Sequence, residues 1–273
     1  MSGWTPARTY NPPVAQVASS PADRPRVAEL SFFFPAHDEA ENIIPFVDEA
    51  LSVLPTLAER FEIIAVDDGS RDATPAIADR LAGEHTEVHA VHHEVNRGYG
   101  AALRSGFRAA RYDLIAFLDG DRQFRVADLA LLIDRLQAPD EPDIVIGYRL
   151  RRADSFVRLA YARAYRLAVR IFFGLAVRDP DCACKIFRRA ALEGVRLESG
   201  GAFMSAELLI KLDQTGRRIA QTGVPHYPRT AGTASGANPR VVLRAVRDFW
   251  SLRLRLWANR RRALSRGEPV LRA

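Results

Sequence analysis

The chain has 273 residues, 48% of them apolar and 26% charged, with a net charge of +6 and a pI near 9.7. That length supports one sizeable core, that apolar fraction excludes a wholly disordered chain, and that charge makes an anionic partner plausible: a nucleotide, a phospholipid surface or nucleic acid. The longest charge-free apolar run near the middle, "IFFGLAV", falls far short of the ~20 residues that a bilayer span needs.

Residues 1–27 contain Pro6, Pro12, Pro13, Pro21 and Pro25 among Ala and Ser, and are expected to be a disordered tail. From residue 28 the pattern alternates. "ELSFFFPA" reads as a strand, and "AENIIPFVDEALSVLPTLAER" as a helix whose boundaries are blurred by Pro45 and Pro55. Strand "FEIIAVDDGS", helix "TPAIADRLAG", strand "TEVHAVHH", helix "GYGAALRSGFRAA" and strand "YDLIAFLDGD" follow, then helix "VADLALLIDRLQA" and strand "PDIVIGYR". Such alternation predicts right-handed βαβ units and an α/β fold, a mostly parallel sheet flanked by helices. His85, His89, His92 and His93 fall on turn and strand, not at helical zinc spacing, and are expected to be partly exposed edge residues. Only Lys185 and Lys211 are lysines; the other basic residues are arginine. Cys182 and Cys184, two apart, cannot form a disulfide framework; they read as small core residues in a reducing compartment, and no signal peptide is visible, so a cytoplasmic location is expected.

In open α/β sheets, ligands bind beyond the carboxyl ends of the strands. Those ends carry Pro35 to Glu39, Asp67 to Ser70 and Asp119 to Gln123. In an extended segment residues i and i+2 point the same way, so Asp119 and Asp121 of "FLDGDRQF" aim together, with Gly120 allowing close approach. Two such carboxylates raise each other's pKa unless a cation lies between them. Mg²⁺ or Mn²⁺ suits that place, with Gln123 as a neutral oxygen donor. Helix-capping aspartates on a surface loop are the plainer alternative.

"PAHDEAENI", "VDDGSRDAT", "NRGYGAALRSGF", "LDGDRQF" and "GYR" occur in this order over roughly residues 28–240. The set resembles family 2 glycosyltransferases of the glycosyltransferase A (GT-A) fold, most closely polyprenyl-phosphate sugar synthases of the dolichol-phosphate mannosyltransferase type. The resemblance implies a catalytic domain over 28–239. It places Pro35, His37, Glu39, Asp67 and Asp68 around a nucleoside-diphosphate sugar, with His37 where Tyr is common and Asp68 equally readable as a helix cap. It implies metal binding by Asp119, Asp121 and Gln123, and a diphosphate contact from Arg229. In "NRGYGAAL" the choice between a phosphate cradle and an ordinary glycine-rich turn stays open. "DPDCACKIFRR" resembles the segment closing the acceptor side, and the small-residue stretch Gly232 to Gly236 is expected to form a closing loop.

A hydroxyl acceptor needs a general base. Hydroxyl-directed relatives carry a Glu-Asp pair where this chain has Glu207 with no Asp following, which favours a phosphate acceptor; Glu207 is then left either to position the sugar or to cap its helix. Arg149, ending its strand, and Arg163, Arg166 and Arg170, on one helical face, are expected at the acceptor phosphate. Residues 240–266 hold nine Arg and one Asp. They read as a basic amphipathic helix with Val242, Val246, Phe249, Leu256 and Trp257 on one face, interrupted by Arg253, followed by a tail to 273. Such a helix suits either an anionic leaflet, peripherally on the inner face of the plasma membrane, or packing on the catalytic domain. The resulting expectation is an inverting, metal-dependent enzyme moving a sugar to a polyprenyl phosphate. A hydroxyl acceptor is the runner-up and a non-catalytic nucleotide-binding module is less favoured; no nucleic-acid motif is present, and oligomeric state is left open.

Overall fold

The computed structural model describes residues 25–150, 156–229 and 239–266. Most of the proline-rich tail and the Gly232 to Gly236 loop lie outside them. β1 (Val27–Ala36), α1 (Ala40–Leu57), β2 (Ala58–Asp67), α2 (Thr74–Glu84), β3 (Val88–His92), α3 (Tyr99–Ala109) and β4 (Leu114–Phe117) alternate as the pattern predicts. A 3₁₀ turn (Val126–Asp128) leads into α4 (Leu129–Leu136), followed by β5 (Ile144–Arg149) and α5 (Phe156–Phe173). The chain continues through β6 (Lys185–Arg188), α6 (Arg189–Leu192), α7 (Met204–Gln214), β7 (Ile219–Val224) and α8 (Pro239–Arg266). α1 runs through both Pro45 and Pro55, and β2 follows without a loop.

Seven strands form one sheet in the order β3-β2-β1-β4-β6-β5-β7. Four of the six pairings are parallel; β6 runs antiparallel to both β4 and β5. Because β6 is reversed, its first residue, Lys185, lies opposite Phe117 and Ile146 near the carboxyl ends of its neighbours. The residues just before β6 therefore reach the crevice side of the sheet.

"FFFP" shows why β1 is central. Successive side chains alternate faces, so Phe32 and Phe34 meet Phe46 of α1, at 5.9 and 5.0 Å between ring centroids. Phe33 meets Phe107 of α3 and Phe117 of β4, at 5.0 and 5.3 Å. Phe107 and Phe117 in turn contact Phe187 of β6. A strand buried on both faces is what a parallel sheet covered by helices requires. Each such buried ring stabilises the fold by about 1.5–3 kcal/mol.

α8 packs on α5 and α7 through Phe249, which touches Phe172, Phe173 and Phe203. The apolar face expected for α8 is divided. Phe249 and Leu252 are buried, with Ala245 and Leu256 packed beside them, whereas Val242, Val246 and Trp257 are exposed. The inward stripe is thus 245, 249, 252 and 256, one helical face set by where α5 lies. No helix among the described residues is long and apolar enough to cross a membrane.

Candidate active site

The register lines up the strand ends: Ala36 pairs with Asp67, and Asp67 with His92. β4, on the other side of β1, ends at Phe117, two residues before Asp119. The crevice is therefore floored by Pro35 to Glu39, Asp67 to Asp68, His92 to His93 and Asp119 to Gln123.

At the end of β4 the backbone must pass close under β1. A Cβ on Gly120 would lie 2.9 Å from the Pro35 carbonyl oxygen, so only glycine fits. Arg122, between Asp121 and Gln123, is left-handed, with φ of 59°, so the chain kinks between these two residues. The hydroxyl of Tyr99, at the start of α3, donates to Asp119 Oδ1 at 2.9 Å. Burial first, and the charge of Asp121 second, push the Asp119 pKa up to about 7. Asp121 accepts the Gln123 backbone N–H at 3.1 Å and pairs with Arg229 at 2.6 Å. The same guanidinium lies 3.8 Å from Glu39, whose pKa is raised chiefly by burial. Arg229 thus spans the expected metal and nucleotide positions. Its segment is fastened to the aspartate motif where Tyr227 N–H donates to the Gln123 carbonyl at 3.0 Å.

Among the described residues no three His, Cys, Asp or Glu side chains form a metal cluster. The donors here are two carboxylates and one amide. Positive charge beside Asp119 would offset the burial and the Asp121 charge that raise its pKa. That set fits a hard divalent ion that takes its remaining oxygens from water and phosphate.

On the donor side, Asp67 is buried, with Oδ1 accepting the Ser70 N–H at 3.0 Å and Oδ2 lying 3.1 Å from His92 Nδ1. Asp68 accepts the N–H groups of Arg97 and Gly98, at 2.9 and 2.8 Å, and lies 2.6 Å from His93 Nδ1. These bonds, to residues at and before the N-cap of α3, make it a clamp on the loop entering that helix; neither α2 nor α3 has a side-chain cap bond. His93 is consequently buried, contrary to the partly exposed edge position expected for it. Gly98, with φ of 92°, sits where a Cβ would be 2.6 Å from the Gly200 carbonyl, so packing alone accounts for this glycine. His37, half exposed at the rim, lies 3.6 Å from its neighbour Asp38, and Pro35 is half-buried.

The side expected to take the acceptor is arranged differently. Arg149 is largely buried and forks onto Asp179 with bonds of 2.6 and 2.8 Å. Arg163, Arg166 and Arg170 are exposed on α5, and Arg166 donates to the Arg178 carbonyl at 3.3 Å. Glu207 is fully buried: its oxygens accept N–H bonds from Glu198 and Ser199, and Lys211 lies 2.6 Å away. Burial works to raise its pKa, but Lys211 and the Ser199 donors outweigh it and lower it. Glu207 is therefore a loop clamp rather than a base.

Four groups at the site escaped the sequence reading: Tyr99, His92, Asp179 with Asp181, and Lys185. Lys185 is fully buried, donates to Ser205 Oγ at 2.7 Å and to the Cys182 carbonyl, and bears electrostatically on Asp119 and Asp181. The rarity of lysine was the available signal: Lys211 pairs with the buried Glu207, and buried Lys185 bears on Asp119. Asp181 is exposed, and loss of water around its carboxyl, then Asp179, push its pKa up to about 6. The buried thiol of Cys182 is pushed up to about 12, consistent with an inert core residue.

The Glycosyl transferase family 2 profile matches residues 31–196, more than half of the chain and all of the aspartate motifs. The chain belongs to glycosyl transferase family 2. Over 247 residues it is 34% identical to glycosyltransferase AglD of Haloferax volcanii, covering 85% of this chain and 39% of that protein. It is 29% identical over 226 residues to dodecaprenyl-phosphate galacturonate synthase of Rhizobium johnstonii, covering 82% and 66%. The chain thus spans between about two fifths and two thirds of these relatives' length. Glucosyl-3-phosphoglycerate synthase from Mycobacterium tuberculosis, solved with Mn²⁺ and UDP-glucose, shares the fold with a TM-score of 0.61 at 23% identity, over 80% of this chain and 78% of that one. The GT-A fold expected from the motifs is therefore the fold observed.

Proposed function

We propose that this family 2 domain transfers a sugar from a nucleoside diphosphate to a polyprenyl phosphate, with inversion. One observation carries the lipid reading. α5 and α8 leave large apolar side chains in solvent, among them Tyr161 at 72%, Ile171 at 66%, Leu243 at 72% and Leu254 at 62% exposure. Exposed arginines, including Arg163, Arg166, Arg170, Arg247 and Arg255, border them. Apolar groups rimmed by fixed positive charge suit an anionic leaflet that presents a phosphate on a long hydrocarbon chain. The names of the dodecaprenyl-phosphate relative and of an undecaprenyl-phosphate 4-deoxy-4-formamido-L-arabinose transferase of Pseudomonas fluorescens support the same acceptor class.

In this reading Glu39 and Asp67 hold the nucleotide, and Arg229 moves from Asp121 to the donor diphosphate. Mg²⁺ or Mn²⁺, held by Asp119, Asp121 and Gln123, would neutralise charge growing on the leaving diphosphate. Arg149 and the α5 arginines draw the acceptor phosphate, whose oxygen is already anionic and attacks without a base. One in-line displacement turns an α-linked donor into a β-linked product. The hydroxyl reading rests on Asp181, whose desolvated carboxyl beside Asp179 has a raised pKa. Incubation with a panel of nucleotide sugars, undecaprenyl phosphate and simple sugar acceptors tests both readings. Mass spectrometry should show a lipid-linked product, and NMR of its anomeric centre should show inversion. Product only on a hydroxyl acceptor overturns the lipid reading.

A further inference from the structure

Both ring nitrogens of His92, the last residue of β3, face carboxylates. Nδ1 lies 3.1 Å from Asp67 Oδ2, and Nε2 lies 2.9 Å from Asp79 Oδ1 on α2. An ionised carboxylate only accepts hydrogen bonds, so both contacts are satisfied together only when both nitrogens carry protons. A neutral ring has one donor, and in either tautomer a lone pair then points at an oxygen. Asp67 and Asp79 are the charged groups facing the ring, from β2 and α2; His93, next in sequence, is engaged instead with Asp68 and Ser105. Burial opposes the charge, yet the hydrogen bonds to Asp67 and Asp79 outweigh it and lift the pKa above the ordinary 6.5. The two carboxylates differ in freedom: the Asp79 side chain is 69% exposed and that of Asp67 only 4%.

We propose that protonated His92 is a positioning residue for the donor: it fixes the Asp67 carboxylate for the nucleotide base and cancels its charge, so donor affinity falls when the ring loses its proton. This rests on reading Asp67 as the acceptor of the base N–H. With a neutral ring, the arriving diphosphate meets one more unit of negative charge, and the carboxylate is held by one bond fewer.

The test is calorimetric titration with uridine diphosphate and guanosine diphosphate, each with Mn²⁺, from about pH 6.5 to about pH 8.5. For whichever nucleotide binds, the apparent Kd should rise about tenfold across that window in the native protein and stay nearly level in His92→Gln. Asp79→Asn, an exposed change that the fold should tolerate, should move the fall in affinity to lower pH. Parallel pH curves for the native protein and His92→Gln, with only the Tm lowered, would mean that His92 merely fastens α2, and would overturn the proposal. Asp67→Asn separates the two levels. If it leaves affinity at about pH 6.5 unchanged, the assignment of Asp67 fails and the proposal with it. If it weakens affinity while the native pH curve is level, only the role of His92 fails.

Discussion

The two halves of the crevice are built by different means. The proposed donor half uses side chains at the ends of β1, β2 and β4, parallel strands in register, where an apolar run delivers a polar group to a fixed place. The acceptor half uses a reversed strand, two long helices and an arginine already forked onto Asp179. Chemistry that must be placed to a fraction of an ångström sits on the rigid strand ends. In the proposed function, recognition of a long, flexible lipid is left to surfaces that tolerate variation.

The largest test of that contrast is Asp121→Ala. Losing one of the paired carboxylates should reduce transfer on the order of a thousandfold, the several kcal/mol that a metal clamp supplies, with the far-ultraviolet circular dichroism unchanged. Near-native turnover in the presence of a chelator would remove the metal from the donor half.

Arg149 probes the other half, because its pair with Asp179 makes a structural role as plausible as an acceptor role. Arg149→Ala alone should destabilise the fold by about 3 kcal/mol, since it removes two charge-assisted hydrogen bonds from a buried carboxylate. The double variant Arg149→Ala/Asp179→Ala should recover most of that stability in a denaturant melt. If Arg149 also grips the acceptor, KM for the lipid phosphate stays high in the double variant while donor KM is native. Recovery of both constants would make the pair purely structural.

Leu243→Glu and Leu254→Glu place charge on the exposed face of α8. Sedimentation with anionic vesicles should fall on the order of tenfold for the pair, and turnover of a short water-soluble acceptor should stay native. Unchanged sedimentation would detach α8 from the acceptor half.

The smallest effect is one of stability against pH. The folded pKa of His92 is raised, so its contribution is fully present below 6.5 and is lost as pH rises through the folded value. The ring is partly exposed, so screening keeps this under about 1 kcal/mol. Thermal melts of the native protein and His92→Gln should therefore converge as pH rises above neutrality.

The same contrast explains what could be read from sequence. β1 to β5 and the positions of Asp67, Asp119 and Asp121 follow from local patterns: an apolar run, a turn, a carboxylate two residues on. β6 and β7 were missed because four and six residues with no clean alternation mark them only weakly. The links Tyr99–Asp119, His92–Asp79 and Arg149–Asp179 join residues 20, 13 and 30 positions apart, and no local pattern announces such partners. Arg149 was placed correctly at a strand end, but its engagement with Asp179 depends on the reversal of β6. The α8 stripe was partly misassigned because periodicity shows that a face exists, whereas the neighbouring α5 decides which one is buried.

The position of β6 also constrains how the chain can fold. β3, β2, β1 and β4 are all present once residue 117 has been made, and together they form a contiguous sheet. β5, next to emerge, has no pairing with β4 and must wait for β6, which lies between them and ends at Arg188. During synthesis the outer edge of β4 therefore stays open while about seventy more residues emerge, several seconds at ordinary translation rates. Completion of the sheet is a late, non-local event of the kind that slows folding. A strand-breaking change in β6, such as Ile186→Pro, should leave a collapsed donor half with an unpaired edge, and pulse proteolysis during refolding would detect it as a protected fragment ending near residue 117.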